Sequence, residues 1–426
     1  MTSMLRCISC GRIYSRGTRF RCDCGDLLEV EHGFIDVTHE TFNSRLGQAG
    51  RPYNSGVWRF KELVNPSIDD TYIVSRPEGN TNIYNHSRLR EYTGLSHVAV
   101  KHEGENPTGS FKDRGMTVGI SEAVAMNAKM VACASTGNTS ASLAAYAAQA
   151  VLKCAVFIPE GNIAYGKLAQ ALAYGADVLQ VKGNFDDAMR VVQEASVELG
   201  LYLLNSVNPW RIEGQKSIIF ELLQQRNWNP PDWVVVPAGN LGNTSAFGKA
   251  IREAEALGLI DRMPRIASIQ AEGSNPFYRM WKSEDTSLTP MKPDTVATAI
   301  KIGNPVSWKK ALRAIKDTRG VVSQVSDQEI MDAKAIVDGC GIGCEPASAA
   351  SVAGAAKLVR EGVIDRDEDV VCILTGNLLK DPDVTVKYHM GQLENIASSH
   401  GNKPRVLDAD MDSVMKSLGL ARVLEV

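Results

Sequence analysis

The sequence lacks a long apolar run, a strong charge of either sign and clustered histidines. No stretch of about 18 uninterrupted apolar residues occurs in the 426-residue chain, so we expect no membrane-spanning helix. The net charge of −3 gives no electrostatic reason to expect a nucleic-acid partner. The seven histidines show no metal-ligand spacing. The first residues, "MTSMLRCISCGR", lack the apolar core of a signal peptide, so we expect a cytoplasmic protein.

The chain is longer than one hydrophobic core usually fills, which suggests two lobes. Short β-like runs alternate with helix-like segments, a pattern typical of parallel strands joined by crossover helices in an α/β fold. The runs are continuously apolar, as expected for strands that are covered on both faces. The predicted strands are 97–102, 130–135, 153–159, 176–181, 232–238, 265–271 and 369–375.

Three of these strands end in a Gly-Asn pair. The three segments are "TGNTS" (136–140), "GNLGNTS" (239–245) and "TGNLLKD" (375–381). Ligands bind at the carboxyl ends of strands in open α/β sheets, where glycine admits a ligand and asparagine offers a donor and an acceptor. Gly-Asn is also ordinary turn chemistry, but three such pairs at equivalent places favour a ligand site. The glycine-rich "GCGIGCEP" (339–346) fits either a turn or a ligand contact, and its spacing does not decide.

The segment "PAGNLGNTSA" carries the strongest of the three signals. Two glycines and two asparagines between a strand and a helix start present N–H groups and the positive helix end to an anion. No Gly-Lys-Ser/Thr follows, and the glycine spacing is not that of a dinucleotide-binding fingerprint. The segment therefore predicts a phosphate site, but not one for a nucleoside triphosphate or NAD.

Lys112, in "ENPTGSFKDRG" (105–115), lies at the predicted start of a helix. The positive end of a helix and a dry pocket both favour the neutral amine, which is the nucleophilic form. Together with a phosphate site, such a lysine suits a cofactor that is held as an imine. The alternative is an ordinary surface lysine with its charge in water, and spacing alone does not separate the two.

Four motifs together resemble the fold-type II pyridoxal-phosphate enzymes, and among them the threonine synthases. These motifs are "ENPTGSFKDRG", "STGNTSAS", "PAGNLGNTSA" and "LTGNLLKDPD", within a resemblance that covers residues 78–383. The segment "NSVNPWRIEGQK" (205–216) is more similar to threonine synthases than to cysteine synthases or dehydratases. The resemblance implies a two-lobed α/β fold like that of the tryptophan synthase β subunit, with the cofactor between the lobes.

The predicted division of the chain has five parts. We expect a zinc-ribbon-like knuckle at 1–35, a wrapping segment of the large lobe at 36–95, a small α/β lobe at 96–204, a large α/β lobe at 205–390 and a C-terminal helical tail at 391–426. The family usually forms homodimers, so the resemblance also implies a homodimer.

The resemblance assigns a role to each matching residue. Lys112 would hold pyridoxal 5′-phosphate covalently and then act as the mobile acid and base, Asn138 would bind the cofactor's 3-hydroxyl, and Thr375 would face its pyridine nitrogen. The cofactor phosphate would lie against Gly239, Asn240, Leu241, Gly242 and Asn243. A second site, for the substrate's phosphate, would use Ser135, Thr136, Asn205, Ser206 and Arg211. For Arg211 the alternative is a surface ion pair with Glu213 or another acid.

The implied reaction converts O-phospho-L-homoserine and water into L-threonine and phosphate by γ-elimination and β-replacement. A sister enzyme of the cysteate synthase type, which uses O-phosphoserine and sulfite, is the nearest alternative, because sequence spacing cannot measure a pocket. An inactive ligand-binding or nucleic-acid-binding homologue is the alternative of a different class. Lys112 argues against it, because an inactive protein has little reason to keep an awkward lysine.

Four of the nine cysteines crowd the N-terminus. Cys7 and Cys10 form C-x-x-C, and Cys22 and Cys24 form C-x-C, a set that suits a structural, tetrahedral zinc ion. A reduced, metal-free β hairpin is the alternative, and several arginines nearby keep a nucleic-acid-binding ribbon open. The other five cysteines lie among apolar residues, and we expect them to be buried small hydrophobes.

Overall fold

The computed structural model describes residues 3–33, 36–161, 165–183 and 185–420. Its strands are β1 Ser3–Cys7, β2 Ile13–Ser15, β3 Leu28–His32, β4 Ile83–Tyr84, β5 His97–His102, β6 Met130–Ala134, β7 Lys153–Pro159, β8 Asp177–Val181, β9 Tyr202–Leu203, β10 Trp233–Pro237, β11 Arg265–Ala271, β12 Val321–Val325 and β13 Asp369–Leu374. They form three separate sheets.

The helices alternate with these strands from β5 onward, as the sequence predicts. They are α1 His39–Asn43, α2 Lys61–Val64, α3 Ser87–Thr93, α4 Lys112–Ala125, α5 Asn138–Gln149, α6 Tyr165–Ala173, α7 Phe185–Glu198, α8 Pro209–Gln225, α9 Gly242–Ala256, α10 Pro276–Ser283, α11 Trp308–Asp317, α12 Asp327–Gly339, α13 Pro346–Arg360, α14 Pro382–Met390 and α15 Met411–Leu418. Short 3₁₀ turns lie at Trp58–Phe60, Asp70–Tyr72, Glu103–Glu105, Thr298–Ile300 and Leu378–Lys380.

The large lobe is built on a six-stranded sheet in the order β12-β11-β10-β13-β5-β4. Every neighbouring pair is parallel except β4 and β5. Alternate residues of β10 enter different cores: Val234 and Val236 pack with α8, α9 and α11, whereas Trp233 and Val235 pack with α12 and α13. The predicted parallel α/β arrangement, with both sheet faces covered, is therefore confirmed.

The small lobe is built on a four-stranded parallel sheet in the order β8-β7-β6-β9. Helices α4 and α5 pack on one face through residues such as Ile120 and Leu143, and α7 packs on the other face through Ala188 and Val192. Both faces of the central strands β6 and β7 are thus covered.

The predicted boundary at residue 96 assigned β5, the strand before Lys112, to the small lobe. The structure instead places β5 in the sheet of the large lobe. All six residues of β5, His97–His102, pair in parallel with β13 in the six-stranded sheet. The chain then crosses to the small lobe in α4, where Val118 packs in a large-lobe core and Met116 and Ile120 pack in a small-lobe core. Helix α4 therefore belongs to both lobes.

Two strands of the six-stranded sheet, β4 and β12, were not predicted, and they lie at its two edges. In "VVSQV", strand β12, the polar Ser323 and Gln324 interrupt the apolar run, and β12 lies at the end of the sheet. An edge strand buries less than a central one, so its sequence carries a weaker signal.

The N-terminal knuckle is a three-stranded antiparallel sheet in the order β2-β1-β3, where the sequence suggested two β runs. Leu5, Leu28 and Val30 are fully buried in the same core as α8 and α9. The following segment adds Phe42 and Trp58 to that core. The knuckle and the wrapping segment are therefore packed on the large lobe.

The tail beyond residue 390 contains one helix among its described residues, Met411–Leu418, and none of the residues of that helix is buried. Residues 421–426 of the predicted tail lie outside the described residues. Within the described chain, no helix is long and apolar enough to cross a membrane.

Candidate active site

Lys112 is the first residue of α4, as the sequence predicts. Its pKa is lowered to about 7, first because burial disfavours the charged amine and then because the guanidinium of Arg211 is near, while Glu345 opposes the shift. A substantial fraction of Lys112 is therefore neutral at neutral pH, in the form that attacks a carbonyl carbon.

The approach of Lys112 to Arg211 depends on close packing of α4 against α8. A Cβ on Gly115 would lie 2.8 Å from the backbone oxygen of Arg211, and one on Gly214 would overlap the backbone oxygen of Arg114. Only glycine at both places lets the two helices approach this closely. Two cations that are distant in sequence thereby share one site.

Asn138 and Thr375 follow strands of different lobes, and a third residue, Glu345, joins them. Nδ2 of Asn138 donates to the two carboxylate oxygens of Glu345 at 3.0 and 3.3 Å. The Thr375 hydroxyl donates to the same carboxylate at 3.4 Å and lies 3.0 Å from Oγ of Ser348. Since Glu345 also acts on Lys112, the three predicted cofactor residues surround one buried acid.

Sequence reasoning left the segment with Glu345 undecided. The signal that could have singled it out is a lone acid placed directly before Pro346, the first residue of α13, in a glycine-rich segment. Burial is the largest cause of the raised pKa of Glu345, and the hydrogen bonds from Asn138 and the charge of Lys112 act against it.

The predicted phosphate loop runs from β10 into α9. Leu241 adopts a left-handed conformation with φ 63°, and the helix begins at the next residue. The first N–H groups of α9 have no intrahelical partners, which suits an anion. A Cβ on Gly239 would lie 3.1 Å from the Cα of Ile300, so this side of the loop admits no side chain without a shift.

The donors that fit a cofactor phosphate are the free N–H groups at the start of α9, because phosphate oxygens accept hydrogen bonds. A Cβ on Gly242 would lie 3.2 Å from Oε1 of Gln215, so glycine keeps this side of the loop open as well. Oδ1 of Asn243 and Oε1 of Gln215 are buried without a hydrogen-bond partner among the described residues, and as acceptors they call for a donor, not for a phosphate oxygen. The uncharged, glycine-containing loop at a helix start therefore fits the phosphate of pyridoxal phosphate.

Arg211 is buried without a counter-ion among the described side chains. Its Nη1 donates to the backbone oxygen of Leu204 at 3.2 Å, and its Nε has no partner in the described part of the chain. Glu213, the acid that sequence reasoning offered as an alternative partner, instead pairs with Lys216 and Lys249. A buried guanidinium with no acid beside it suits a phosphate ligand.

The remaining residues of the predicted substrate-phosphate site differ in how much bonding capacity they have left. Asn205 holds the backbone of Ala134 at both ends, since Oδ1 accepts from its N–H and Nδ2 donates to its oxygen, each at 3.0 Å. Oγ of Ser135 accepts from the N–H of Gly137 at 3.2 Å. Thr136 and Ser206 are half-buried. Asn205 therefore fixes the end of β6, and one of its two amide hydrogens is left over.

The four N-terminal cysteines come together as predicted. Their sulfur atoms lie within 4.8 Å of one another, with Cys7 3.5 Å from Cys24 and Cys10 3.5 Å from Cys22. In a tetrahedral site with zinc–sulfur bonds of about 2.3 Å, neighbouring sulfurs are about 3.8 Å apart. The arrangement is compatible with a four-thiolate metal site.

The knuckle contacts α11 and α4, and α4 begins at Lys112 of the candidate site. In α11, Lys310 donates to the backbone oxygen of Leu28 at 2.7 Å, and Arg313 forms an ion pair with Glu29. Arg16 pairs with Glu122 of α4, whose first residue is Lys112. The knuckle is thus linked directly to the body that carries the candidate site.

Comparisons with known proteins show the family of the chain. The family model for pyridoxal-phosphate dependent enzymes matches residues 74–376. The threonine synthase of Methanocaldococcus jannaschii is 49% identical over 385 residues, which cover 90% of this chain and 94% of that protein. The chain belongs to the threonine synthase family. The threonine synthase of Methanosarcina acetivorans is 45% identical over 420 residues, 97% of this chain and 98% of that protein.

Solved structures agree in fold. The threonine synthase of Escherichia coli aligns with a TM-score of 0.67 at 19% identity, covering 94% of this chain and 95% of that one. Maize serine racemase aligns with a TM-score of 0.64 at 18% identity, covering 84% of this chain and 98% of that one. The predicted fold-type II architecture is therefore confirmed, and the threonine synthase family accounts for nearly the whole length of the chain.

Proposed function

We propose that this threonine synthase converts O-phospho-L-homoserine and water into L-threonine and phosphate, with pyridoxal 5′-phosphate as its cofactor. One observation carries the proposal: beside the lysine, Arg211 is buried with no acidic partner among the described residues. The phosphate loop before α9 provides one anion site, and Arg211 provides a second. A reaction that needs both a phosphorylated cofactor and a phosphorylated substrate uses both sites.

The cofactor would be held by Lys112, Asn138, Thr375 and the loop Gly239, Asn240, Leu241, Gly242 and Asn243. When bound, pyridoxal phosphate withdraws electrons from the substrate's amino-acid carbon and makes the neighbouring protons more acidic. Asn138 and the Thr375 hydroxyl supply neutral polar contacts, and the loop supplies N–H groups at the helix end. No described residue of the loop carries a charge, so the helix end carries the electrostatic attraction.

Lys112 is the group that moves protons. With a pKa of about 7 the neutral amine can accept the Cα proton of the substrate at neutral pH. Because it holds one proton at a time, it must release this proton before it accepts one from Cβ. Its position at the start of a helix that is packed in both cores limits the motion of its backbone. The side-chain amine can therefore move while the backbone that carries it stays in place.

Arg211 would bind the substrate's phosphate and stabilise the charge that develops as phosphate leaves from Cγ. Ser135, Thr136 and Ser206 would add neutral hydroxyl donors, and Asn205 would contribute through its second amide hydrogen. A guanidinium matches a phosphate bidentately, which orients the leaving group as well as attracting it. Orientation matters here because water must add at Cβ only after phosphate has left.

An activity assay on the full-length protein with pyridoxal phosphate tests the proposal. O-phosphohomoserine alone is expected to yield phosphate and threonine in equal amounts, and Lys112→Ala is expected to abolish both. Lys129→Ala, which removes an exposed lysine just beyond the same helix, is the matched control and should remain active. Turnover only with O-phosphoserine and sulfite would assign the protein to the sister reaction, and no turnover with either would refute the proposal.

We also propose that Cys7, Cys10, Cys22 and Cys24 hold a structural zinc ion. The convergence of four sulfurs without an acid or histidine in the group favours a closed, non-catalytic site. We expect about one zinc per chain in purified protein by elemental analysis. Cys10→Ser should lose the metal, whereas Cys340→Ser, outside the cluster, should keep it. Metal-free protein that also fails to bind Co²⁺ with thiolate absorbance would contradict the proposal.

We further propose a cytoplasmic homodimer. The nine cysteines are unpaired thiols, which is the usual state in a reducing compartment. The dimer follows from the usual state of the family and is tested by light scattering on the purified holoenzyme, which should give twice the 46.2 kDa chain mass. A mass of one chain at micromolar concentration would contradict it.

A further inference from the structure

Glu345 lies at the N-terminal end of α13 and does not cap it. It occupies the N-cap position of this helix, where a carboxylate commonly accepts from the next backbone N–H groups, yet its side chain makes no such bond. The carboxylate instead accepts from Asn138 and Thr375, which belong to different lobes. A buried acid that forgoes its local partners for two distant ones has a role outside its own helix.

The surrounding chain leaves a space that fits this carboxylate. A Cβ on Gly376 would overlap the carboxylate of Glu345, so the glycine after Thr375 provides the room that the acid occupies. The Gly376 N–H donates to Oγ of Ser348 at 2.9 Å, and that oxygen also contacts the Thr375 hydroxyl. Backbone and side chains thus hold Thr375 and Glu345 in one fixed arrangement.

Three charged groups act on Glu345. Lys112 at the start of α4 and Lys380 after β13 attract its negative charge, and Asp381 repels it. No carboxylate–cation hydrogen bond to Glu345 is present among the described residues, so the attraction acts through space. Among the described residues, Glu345 is the acid whose charge raises the pKa of Lys112.

We propose that Glu345 is a positioning residue for the cofactor, whose acceptor-only carboxylate fixes the Asn138 amide and the Thr375 hydroxyl and supplies the negative charge beside Lys112. This inference rests on the proposed function. An ionised carboxylate can only accept, so Nδ2 of Asn138 and the hydroxyl of Thr375 must both turn a hydrogen toward it. One hydrogen of the Asn138 amide is then left in a defined direction for a ligand.

Three variants separate the position of the carboxylate from its charge. Glu345→Gln keeps the shape of the side chain but removes its charge. Because the glutamine NH2 group donates, it cannot accept from both Asn138 and Thr375 as the carboxylate does. Gly376→Ala keeps the charge and pushes the carboxylate aside. Glu345→Asp keeps the charge and the acceptor character on a shorter side chain. Glu329→Gln is the control, since Glu329 lies in the first turn of α12 in the same lobe and bonds its own N-cap, Ser326.

Full-length protein is first stripped of pyridoxal phosphate. Titration with pyridoxal phosphate then gives the dissociation constant of the cofactor, and the absorbance of the bound cofactor as a function of pH gives a midpoint. Glu345→Gln and Gly376→Ala are both expected to raise the dissociation constant about tenfold or more, as for loss of a hydrogen bond to a charged group. Glu345→Gln alone should move the absorbance midpoint to lower pH, because a negative charge favours a protonated Lys112 nitrogen. Glu345→Asp should keep the wild-type midpoint.

Several outcomes would overturn the inference. They are an unchanged dissociation constant in Glu345→Gln, an unchanged constant in Gly376→Ala, or an equal midpoint shift in Glu329→Gln. If Glu345→Gln fails to fold, Gly376→Ala and Glu345→Asp still decide the positioning role. Because cofactor binding is measured without substrate, a failed activity assay with O-phosphohomoserine leaves this test intact, and the two proposals fail separately.

Discussion

The guanidinium of Arg211 lowers the pKa of the Lys112 amine within one enclosed site. The two residues come from different helices, α4 and α8, that approach closely at Gly115 and Gly214. Burial and, after it, the charge of Arg211 therefore favour the neutral amine until an anion arrives. A substrate phosphate bound at Arg211 would cancel part of this repulsion and favour proton uptake by Lys112 at the stage when a base is required.

The covalent attachment of pyridoxal phosphate to stripped wild-type protein should depend on pH through Lys112. The neutral amine exists above its pKa, so the attachment rate should rise as pH increases through about 7 and level off above it. Arg211→Gln removes the repelling charge, so its curve should move to higher pH. Stopped-flow absorbance measures the rate. A wild-type midpoint near the ordinary lysine value of 10.5 would show that the amine is not desolvated.

Substitution of Arg211 should act on the substrate more than on the cofactor. Arg211→Gln is expected to lower kcat/KM for O-phosphohomoserine by at least about 30-fold, as for truncating one side of a buried charge pair. Arg211→Lys keeps the charge without the planar fork and should fall between. Arg226→Gln, at the far end of the same helix and paired with Asp369, is the control. An equal loss in both would mean that Arg211 acts through stability alone.

Asn205 should prove more important for stability than the other polar residues of the predicted substrate-phosphate site. Asn205→Ala removes both hydrogen bonds to Ala134 and leaves the buried N–H and the buried oxygen of that residue unpaired. Each unpaired group lowers the free energy of unfolding by about 1–3 kcal/mol. The thermal midpoint without substrate should fall. Ser206→Ala, one residue on and half-buried, should change it little. If the two variants melt alike, the Asn205 amide is not an anchor of β6.

The docking of the knuckle should depend on pH through Glu29. Burial alone would raise its pKa, but the hydrogen bond and charge of Arg313 bring the net pKa below 4.5. The folded pKa is thus depressed, so the stabilisation is present above about pH 4.5 and is lost as pH falls through the folded value. Urea midpoints of wild type and Glu29→Gln should therefore differ at neutral pH and converge in acid.

The control for that experiment lies on the same strand. Glu31 pairs with Arg6 through side chains that are 43% and 37% exposed, so its contribution to stability should be small. Glu31→Gln should follow the wild-type curve at every pH. If Glu29→Gln also follows it, the ion pair with Arg313 does not hold the knuckle.

Sequence reasoning predicted best what depends on local pattern. Lys112 at a helix start and the Gly-Asn pairs at strand ends each carry a short-range signal, and apolar runs mark central strands such as β10. Glu345 was not predicted, because its importance depends on contacts with residues far away in the chain. Asn138 is 207 residues away and Thr375 is 30 residues away, so no local pattern indicates the contact. Likewise, nothing within "HVAVKH" distinguishes a partner in one sheet from a partner in the other.

The dual membership of α4 places the reactive amine at a pivot. Since Val118 is anchored in one core and Ile120 in another, a rotation of one lobe against the other would turn about this helix. Points on the small lobe far from α4, such as β8, would sweep through large arcs, while Lys112 would move least. Such a rotation would change the spacing between the lobes without resetting the position of the lysine.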